Sequence, residues 1–489
     1  MADIYKDSLS LLTDLYQLTM AYGYWKTGLW QKEAVFHLFF RKRPFGGNFA
    51  ICAGLEQAVG FIQNFRFDES DLAYIGSLKG SNEAPLFEQR FLDYLRSFKL
   101  TCNLDAMPEG TAALAYEPLL RVQAPLIHAQ LLESPLLNLI NFQTLIATKA
   151  ARVCYAAAPD HVVEFGMRRA QGVDGAISAT RAAFIGGCLS TSHMLGGKLF
   201  GIPVKGTQAH SWVMVFDEEE EAFRVFAEAM PGNALFLVDT YDSIEGTKKA
   251  IRVALRLKKQ GIHVLGLRLD SGDLTTLSIE IRRLLDEAGL SEIKIMASNE
   301  LDEYLISDLK HQGSLVTVWG VGTHLVTGKE QPALDGVYKL AAVRDPGGKW
   351  QYKLKISEKM SKMTDPGILQ VRRYETKSEN LADMIYDVDA HLGKAIEIHP
   401  IDDPMQKLSV DPQWNSRDLL IPIFRDGKLI STLPSLQEIQ TKSLQEQAHF
   451  PPSMRRFLHP ERYLVGYEKS LYERKCRMVK SLITKREKS

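Results

Sequence analysis

One loop of the sequence carries an arginine and two aspartates at the end of an apolar run. Arg268 and Asp270 are two residues apart, so on a strand their side chains point to the same side. A guanidinium group can hold a carboxylate through two parallel hydrogen bonds, which makes Arg268 a candidate for binding an anionic substrate. Arg268 and Asp270 could equally satisfy each other as an ion pair. The sequence leaves both interpretations open.

A histidine lies in a second loop, after the small residues Gly206 and Thr207. A single histidine such as His210 is more often structural than catalytic, because its titration is useful only beside a partner. Asp239, at the end of the next apolar run, could be that partner. A carboxylate bound to one ring nitrogen would leave the other nitrogen free as a base or nucleophile.

Three further segments could bind phosphate. The turn GVGT at 320–323 follows an apolar run, and backbone N–H groups of such a turn can surround a phosphate, although glycine-rich turns also serve packing. The segment 344–373 is rich in lysine, including Lys359 and Lys362, which favours phosphate oxygens over stacked bases. A solvated hairpin is the alternative there. Arg41 could be another anion contact or an ordinary surface residue.

The elements that must position these residues alternate between strands and helices. Six apolar runs end in short polar loops and are followed by helical stretches; they lie at 161–165, 202–204, 234–238, 263–269, 293–297 and 316–319. The last four loops follow one another at intervals of 31, 28 and 22 residues, which is typical of βα units in a parallel sheet. Polar residues that follow such strands share one rim of a (β/α) barrel, where its active sites lie. A doubly wound open sheet would give the same pattern.

The two ends of the chain lack this alternation. Residues 1–145 contain helical stretches at 8–25 and 54–65 and one clear strand at 34–40. Residues 396–489 combine proline-rich loops with two helical stretches. We therefore predict an α/β protein: an irregular (β/α) barrel over 146–395, and an α+β companion domain built from the N- and C-terminal segments.

Composition excludes several classes of protein. With 59 Lys+Arg and 59 Asp+Glu among 489 residues, the net charge is zero, which argues against a dedicated nucleic-acid binder. No apolar stretch reaches the roughly 18 residues that a membrane span needs. The five cysteines form no CxxC pair, and the N-terminus lacks the features of a signal peptide, so we expect a cytoplasmic protein. The P-loop, GxGxxG and HExxH motifs are also missing from the sequence.

Taken together, the segments resemble nicotinate phosphoribosyltransferase, a type II phosphoribosyltransferase family. The similar blocks extend over nearly the whole chain in matching order and spacing. They are LLTDLYQLTMAYGYW (11–25), RKRPFGGNFAICAGL (41–55), EFGMRRAQGVDG (164–175), GTQAHS (206–211), LVDTYDS (237–243), RLDSGDL (268–274), SNELDE (298–303), GVGTHLVTG (320–328) and GVYKL (336–340).

The resemblance implies a reaction. Nicotinate and 5-phosphoribosyl 1-diphosphate would give nicotinate mononucleotide and diphosphate, in NAD salvage, with coupled hydrolysis of ATP. By similarity, ATP transiently phosphorylates His210, and Asp239 orients that ring. Asp270 would stabilise the oxocarbenium-like state at the sugar carbon. The leaving diphosphate needs Mg²⁺ and basic side chains.

The resemblance also directs the assignment of binding residues. We assign nicotinate binding to Tyr16, Phe165, Arg168, Thr207 and Arg268. We assign phosphoribosyl diphosphate binding to Arg41, Asn299, Gly320, Gly322, Thr323, Lys359 and Lys362. Tyr16 would reach the site of a second subunit, which implies a homodimer with shared active sites. Without the resemblance, Tyr16 would be predicted as a core aromatic on the amphipathic helix of Leu11, Leu15 and Leu18.

Alternatives remain for the substrate and for the class of protein. Nicotinate is an anion and requires an arginine, whereas nicotinamide would prefer a hydrogen-bonding acid. No such acid is evident beside GGCLSTSH (186–193), where the amide-using relatives place one, so the sequence favours nicotinate. The alternatives are a nicotinamide-specific phosphoribosyltransferase of the same fold and a non-catalytic barrel that binds a sugar phosphate. A metal-dependent hydrolase is disfavoured because no HxH pair lies on an early strand.

Overall fold

The computed structural model describes residues 8–356, 363–393, 395–403 and 405–487. Its α-helices are α1 Leu15–Lys26, α2 Leu55–Asn64, α3 Glu69–Ser77, α4 Gln89–Arg96, α5 Leu126–Leu131, α6 Glu133–Ala157, α7 Gly172–Gly186, α8 Met194–Phe200, α9 His210–Met214, α10 Glu219–Ala229, α11 Ser243–Lys258, α12 Leu274–Glu287, α13 Glu303–His311, α14 Thr323–Val326, α15 Leu436–Ala448, α16 Pro452–Arg455 and α17 Lys469–Glu487. Its strands are β1 Glu33–Phe39, β2 Phe49–Ile51, β3 Asn103–Ala106, β4 Ala112–Leu114, β5 Leu120–Pro125, β6 His161–Glu164, β7 Ser190–Thr191, β8 Leu235–Leu237, β9 Gly266–Leu269, β10 Lys294–Ala297, β11 Val318–Val321, β12 Val337–Arg344, β13 Gln351–Tyr352, β14 Leu369–Glu375, β15 Asn380–Asp387, β16 Glu397–Pro400, β17 Leu408–Ser409, β18 Asn415–Asp418, β19 Ile421–Arg425, β20 Lys428–Leu429 and β21 Leu464–Glu468.

The chain divides into two compact units. Unit 1 comprises Met1–Thr144 and Ala333–Ser489, and unit 2 comprises Leu145–Pro332. The predicted end of the barrel at residue 395 differs from this division, because residues 333–395 belong to unit 1. The reason is strand pairing: β12 pairs with β1, and β14 and β15 pair with β18 and β21. The pairing partners lie far away in sequence.

Unit 2 holds a parallel sheet with strand order β7-β6-β11-β10-β9-β8 in the described residues. The predicted strand at 202–204 forms only a bridge from Val204 to Thr191 at the β7 edge. The loop that follows reaches the opposite edge: Asn233 Nδ2 donates to the Gly206 carbonyl at 2.9 Å, and the Thr207 hydroxyl donates to the Leu235 carbonyl of β8. Residues 202–207 therefore join the two edges. This closure confirms the predicted irregular barrel over the open-sheet alternative.

Three successive helices of unit 2 begin at an aspartate N-cap. Asp242 accepts hydrogen bonds from two backbone N–H groups at the start of α11, and Asp273 does the same for α12. Asp302 caps α13 by accepting from the Leu305 N–H at 2.7 Å. Such caps satisfy N–H groups that have no partner within the helix. In the loops after β8 and β9, a second acid, Asp239 or Asp270, lies nearer the strand end.

Unit 1 combines elements from both ends of the sequence, as predicted for the companion domain. Its larger sheet has the order β13-β12-β1-β5-β3-β19-β20 in the described residues and is antiparallel. Three N-terminal strands lie at its centre, and two C-terminal strands flank them on each side. A second sheet, described as β17-β16-β21-β15-β14-β18, is built from C-terminal residues. Within the ranges given above, no helix combines the length and apolarity needed to cross a membrane.

Candidate active site

The ends of neighbouring strands bring the candidate residues of unit 2 together. Ala297 of β10 lies opposite Leu269 of β9, so Ser298 and Asp270 leave the sheet side by side. Leu237 of β8 lies opposite Arg268, which brings the loop that begins at Asp239 to the same rim. Parallel pairing thus collects side chains that are about 30 residues apart in sequence.

Arg268 is held between Asp270, Ser298 and an aromatic ring. Its Nη2 donates to Asp270 Oδ1 at 3.0 Å, and its Nε donates to Ser298 Oγ at 2.9 Å. Its guanidinium carbon lies 5.6 Å from the centre of the Phe165 ring. The Arg268–Asp270 ion pair, one of the two interpretations that the sequence leaves open, is therefore formed. A guanidinium has five N–H donors, and within the described part of the chain Nη1 donates no hydrogen bond, so this end of the group can still bind an anion.

The Asp270 carboxylate is stabilised in its charged form. Burial alone would raise its pKa, but hydrogen bonds from Ser298 and Arg268 and the positive charge of Arg268 outweigh burial and lower the pKa of Asp270 below its ordinary value. Its side chain remains 29% exposed. Asp270 therefore presents a permanent negative charge at the rim.

The predicted pairing of His210 with Asp239 is wrong. His210 begins α9, where its Nδ1 lies 3.2 Å from Thr240 Oγ1 and its Nε2 lies 3.8 Å from Asp270 Oδ2. Asp239 Oδ2 instead accepts hydrogen bonds from the Asp270 N–H and the Ser271 hydroxyl, both at 2.7 Å. These two donors fix Asp239 against the following loop, and the acid that faces the imidazole is Asp270.

A buried carboxylate fixes the turn that carries Phe165. Glu164 accepts hydrogen bonds from the Gly166 N–H, from Thr180 Oγ1 at 3.1 Å and from Thr191 Oγ1 at 2.6 Å. Thr191 belongs to the segment 186–193, so an acid does lie beside it, contrary to the expectation from sequence. Glu164 is buried and accepts three hydrogen bonds, which fix this turn against α7 and β7.

The ring of Phe165 packs against Gly320 of β11. A Cβ at Gly320 would lie 2.9 Å from that ring and 3.0 Å from Met296, so any larger residue would displace the ring. Phe165, Met296 and Thr207 also line a cavity of about 600 Å³, but its other lining residues lie mostly at or near the amino ends of the strands, and neither Arg268 nor Asp270 lines it. Arg168 lies in the short 3-10 turn Met167–Arg169, where it is exposed. The aromatic ring, unlike Arg168, is thus fixed next to Arg268.

The candidate phosphate turn follows β11. Gly320 and Gly322 flank Val321, the last residue of that strand, and Thr323 is the first residue of α14. On the neighbouring strand end, Asn299 is exposed and has a φ of 92°. The two predicted phosphate segments of unit 2 therefore lie on loops that follow adjacent strands, β10 and β11.

The remaining predicted residues belong to unit 1 or lie outside the described residues. Tyr16 on α1 is 45% exposed, so the interpretation of it as a core aromatic is wrong. The Arg41 guanidinium lies 5.4 Å from the centre of the Phe39 ring. Lys359 and Lys362 are outside the described residues.

Sequence reasoning missed three polar residues that contact the predicted catalytic side chains. They are Thr240 beside His210, Ser271 beside Asp239 and Ser298 beside Asp270. A signal for Ser298 was present, because it follows its strand as Asp239 and Asp270 follow theirs. Thr240 and Ser271 had no such signal, since hydroxyl residues are common in loops. Their contacts depend on side-chain directions that the sequence pattern does not specify.

Comparisons with known proteins agree on one family. Residues 11–141 match the profile of the nicotinate phosphoribosyltransferase N-terminal domain, and residues 370–475 match that of its C-terminal domain. The chain is 40% identical over 479 residues to nicotinate phosphoribosyltransferase of Bacillus subtilis, covering 97% of this chain and 96% of the relative. The human protein of the same name is 35% identical over 517 residues, covering 93% and 94% of the two chains.

Solved structures show the same similarity. The crystal structure of human nicotinic acid phosphoribosyltransferase aligns with a TM-score of 0.82 at 32% identity, covering 94% of this chain and 98% of that one. A nicotinate-nucleotide pyrophosphorylase from Pyrococcus furiosus aligns with a TM-score of 0.67 at 23% identity, which is a likeness of fold.

Proposed function

The chain belongs to the nicotinate phosphoribosyltransferase family, and from that premise we propose how its residues perform the reaction and couple it to ATP. The enzyme transfers a phosphoribosyl group to nicotinate, a step of NAD salvage. The single observation that carries the proposal is the cluster of Arg268, Asp270 and His210 at the carboxyl ends of the barrel strands. Each of these three side chains suits one substrate group.

Arg268 binds the carboxylate of nicotinate. The Nη1 end of its guanidinium is open to a ligand, whereas Nε and Nη2 are held by Ser298 and Asp270. Because those two bonds fix the plane of the guanidinium, little side-chain entropy is lost when the ligand binds. The pyridine ring packs against Phe165, whose ring lies beside Arg268, and Thr207 is a further predicted contact. Nicotinamide lacks the charge that Arg268 requires.

Asp270 stabilises the transfer step. The pyridine nitrogen attacks the anomeric carbon of 5-phosphoribosyl 1-diphosphate, and the bond from that carbon to the diphosphate oxygen breaks. Positive charge develops on the sugar as this bond lengthens. The Asp270 carboxylate, whose pKa is lowered, is negatively charged before the reaction and needs no proton transfer to act.

The turn of Gly320, Gly322 and Thr323 binds the 5-phosphate of the sugar, with Asn299 on the adjacent loop. Backbone N–H groups and a threonine hydroxyl are suited to phosphate oxygens. Arg41, Lys359 and Lys362 stay predicted contacts of the diphosphate, as basic side chains that would offset its charge.

The carboxylates of Asp239 and Asp270 are suited to Mg²⁺, which we propose as the cofactor. Asp239 Oδ1 is buried and has no hydrogen-bond partner among the described residues, although its other oxygen accepts two. Carboxylate oxygens are the ligands that Mg²⁺ prefers, so Asp239 and Asp270 are the side chains that would hold it. A bound Mg²⁺ would neutralise charge on the leaving diphosphate.

His210 receives the γ-phosphoryl group of ATP. Its Nδ1 is engaged by the Thr240 hydroxyl, which leaves Nε2 as the nucleophile, and the side chain is 39% exposed. Nε2 attacks the γ-phosphorus, ADP leaves, and water later hydrolyses the phosphohistidine. Asp270 lies 3.8 Å from Nε2, so phosphorylation changes the charge directly beside the sugar site.

The enzyme acts as a homodimer, with Tyr16 entering the site of the partner subunit. Support comes from exposed apolar side chains on α1, where Leu15 is 51% and Tyr16 45% exposed. Unit 2 also exposes Met194, Met214 and Val215 around α8 and α9. Large apolar side chains exposed together are typical of surfaces that another protein covers.

Acid-labile phosphate on the protein tests the coupling. Wild type incubated with ATP and Mg²⁺ should retain label, and His210→Ala and His210→Asn should both lose it together with ATP stimulation of the transfer. His311→Asn, on an exposed face of α13, is the matched control and should keep both. Label that persists in His210→Ala would place the phosphate acceptor elsewhere.

A further inference from the structure

A buried histidine lies directly after the proposed phosphate turn, and sequence reasoning did not assign it a role. His324 follows Thr323 in α14 and is 9% exposed. Its Nδ1 lies 3.1 Å from Glu330 Oε1, and its Nε2 lies 3.1 Å from Glu300 Oε2. His324 thus connects the turn after β11 to the loop after β10.

One side of this connection is anchored in the interior of unit 2. Glu330 forms an ion pair at 2.5 Å with Lys149, whose side chain is fully buried on α6. Lys149 pairs at 2.6 Å with Glu303, which is also fully buried and pairs with Arg152 at 2.7 Å. A buried, paired network of this kind has little freedom to move, because breaking one pair leaves an uncompensated charge. Glu330 therefore gives His324 a fixed reference point.

The other side of the connection is a strained backbone segment. Asn299 and Glu300 have φ values of 92° and 23°, which residues with side chains rarely adopt. Such conformations are unfavourable for residues with a Cβ and persist only where surrounding contacts enforce them. The Glu300 side chain is 59% exposed, and its described contacts are His324 and Lys329. These two contacts hold the segment in place.

We propose that His324 is a positioning residue for the phosphoribosyl diphosphate site. It holds the Asn299–Glu300 segment in register with the turn at 320–323, so that the two loops meet one substrate together. The inference rests on the proposed role of that turn in binding the 5-phosphate. It adds the residue that fixes the position of the turn relative to the Asn299–Glu300 segment. A misplacement of about 1 Å in such a site can lower the rate by about 100-fold.

A metal ion is a weaker explanation of the same cluster. Ligand atoms of Asp302, His324 and Glu330 lie within 4.8 Å of one another. However, Lys149 pairs with Glu330, and the Lys329 ammonium lies 2.9 Å from His324 Nε2. Two cations beside the candidate ligands oppose the binding of a third. The contacts of His324 with Glu300 and Glu330 are those of a residue that connects two loops.

The test separates the two substrates kinetically. His324→Ala and Glu300→Ala should each raise the KM for phosphoribosyl diphosphate by about 10- to 100-fold, while the KM for nicotinate changes by less than about twofold. Because both variants break the same contact, the double variant should be no worse than the more damaged single one. Glu300→Gln keeps an acceptor oxygen and should recover most of the affinity. His311→Ala, another histidine of unit 2, should have no effect.

Two outcomes would overturn the proposal. One is an equal rise in both KM values for Glu300→Ala, whose exposed side chain can be removed without disturbing the core. The other is additive damage in the double variant. Thr323→Ala checks the underlying site independently: if it leaves the KM for phosphoribosyl diphosphate unchanged, the proposed phosphate turn is wrong. If Thr323→Ala raises that KM and Glu300→Ala does not, only the role of His324 fails.

Discussion

Replacing Arg268 with alanine should weaken nicotinate binding far more than phosphoribosyl diphosphate binding. The substitution removes a charge-assisted hydrogen bond to the substrate carboxylate, which contributes about 1.5–3 kcal/mol. Since about 1.4 kcal/mol corresponds to a factor of ten, the KM for nicotinate should rise by about 10- to 150-fold. The substitution also leaves Asp270 without its cation, so a negative charge then faces the substrate carboxylate. The KM for phosphoribosyl diphosphate should change by less than about threefold.

Initial rates over a matrix of both substrates, together with the melting temperature, provide the assay. Arg256→Ala is the matched control, because Arg256 lies on α11 and is 65% exposed in its pair with Glu220. Arg268→Lys should recover only part of the affinity, since lysine keeps the charge but loses the planar pair of donors. If both KM values rise together and the melting temperature falls, Arg268 serves only its ion pair with Asp270.

Two further predictions concern subunit contacts and pH. Mixing a Tyr16→Ala enzyme with a His210→Ala enzyme, once subunit exchange is verified, should restore roughly a quarter of the ATP-stimulated rate. The reason is that half of the dimers are hybrids, and each hybrid has one intact site out of two. No recovery would mean that both residues serve one subunit's site. His37 is buried, and this burial, with a smaller effect from the charge of Arg121, lowers its pKa to about 3. When the protein unfolds below about pH 6.5, the exposed imidazole binds a proton. The free energy of unfolding should therefore fall by up to about 1.4 kcal/mol per pH unit as the pH is lowered toward 3. In His37→Gln that contribution to the slope should disappear from urea unfolding curves, and an unchanged slope would show that His37 is not the group responsible.

The strand ends of unit 2 were predictable from sequence. Asp239 and Asp270 each follow a short apolar run, and parallel pairing must bring such residues to one rim. The shared side of Arg268 and Asp270 also follows from their spacing on a strand. These inferences depend on backbone periodicity, which the sequence displays directly.

The partner of His210 was not predictable, because spacing places a loop but does not orient its side chains. Asp239 turns to the Asp270 N–H, and the imidazole meets Thr240 instead. Tyr16 was misjudged for a different reason: an apolar stripe on a helix indicates a surface to be covered, without showing whether a core or another subunit covers it. The prediction that a second subunit covers Tyr16 comes from the family resemblance alone.

The end of the barrel was misplaced because its decisive contacts are distant in sequence. Glu33 of β1 lies opposite Arg344 of β12, about 300 residues further along the chain. Residues 337–344 form a strand, but their local sequence does not show which sheet that strand joins. Only the antiparallel pairing with an N-terminal strand assigns them to unit 1. Local patterns carry no information about such pairings.

The most direct test of the account is product formation from each pyridine. Purified enzyme is incubated with 5-phosphoribosyl 1-diphosphate and Mg²⁺, with either nicotinate or nicotinamide, in the presence and absence of ATP. We expect nicotinate mononucleotide and an equal amount of diphosphate from nicotinate, a faster rate with ATP, and little product from nicotinamide, because only nicotinate offers Arg268 a carboxylate. Failure to form nicotinate mononucleotide, or a preference for nicotinamide, would contradict the account.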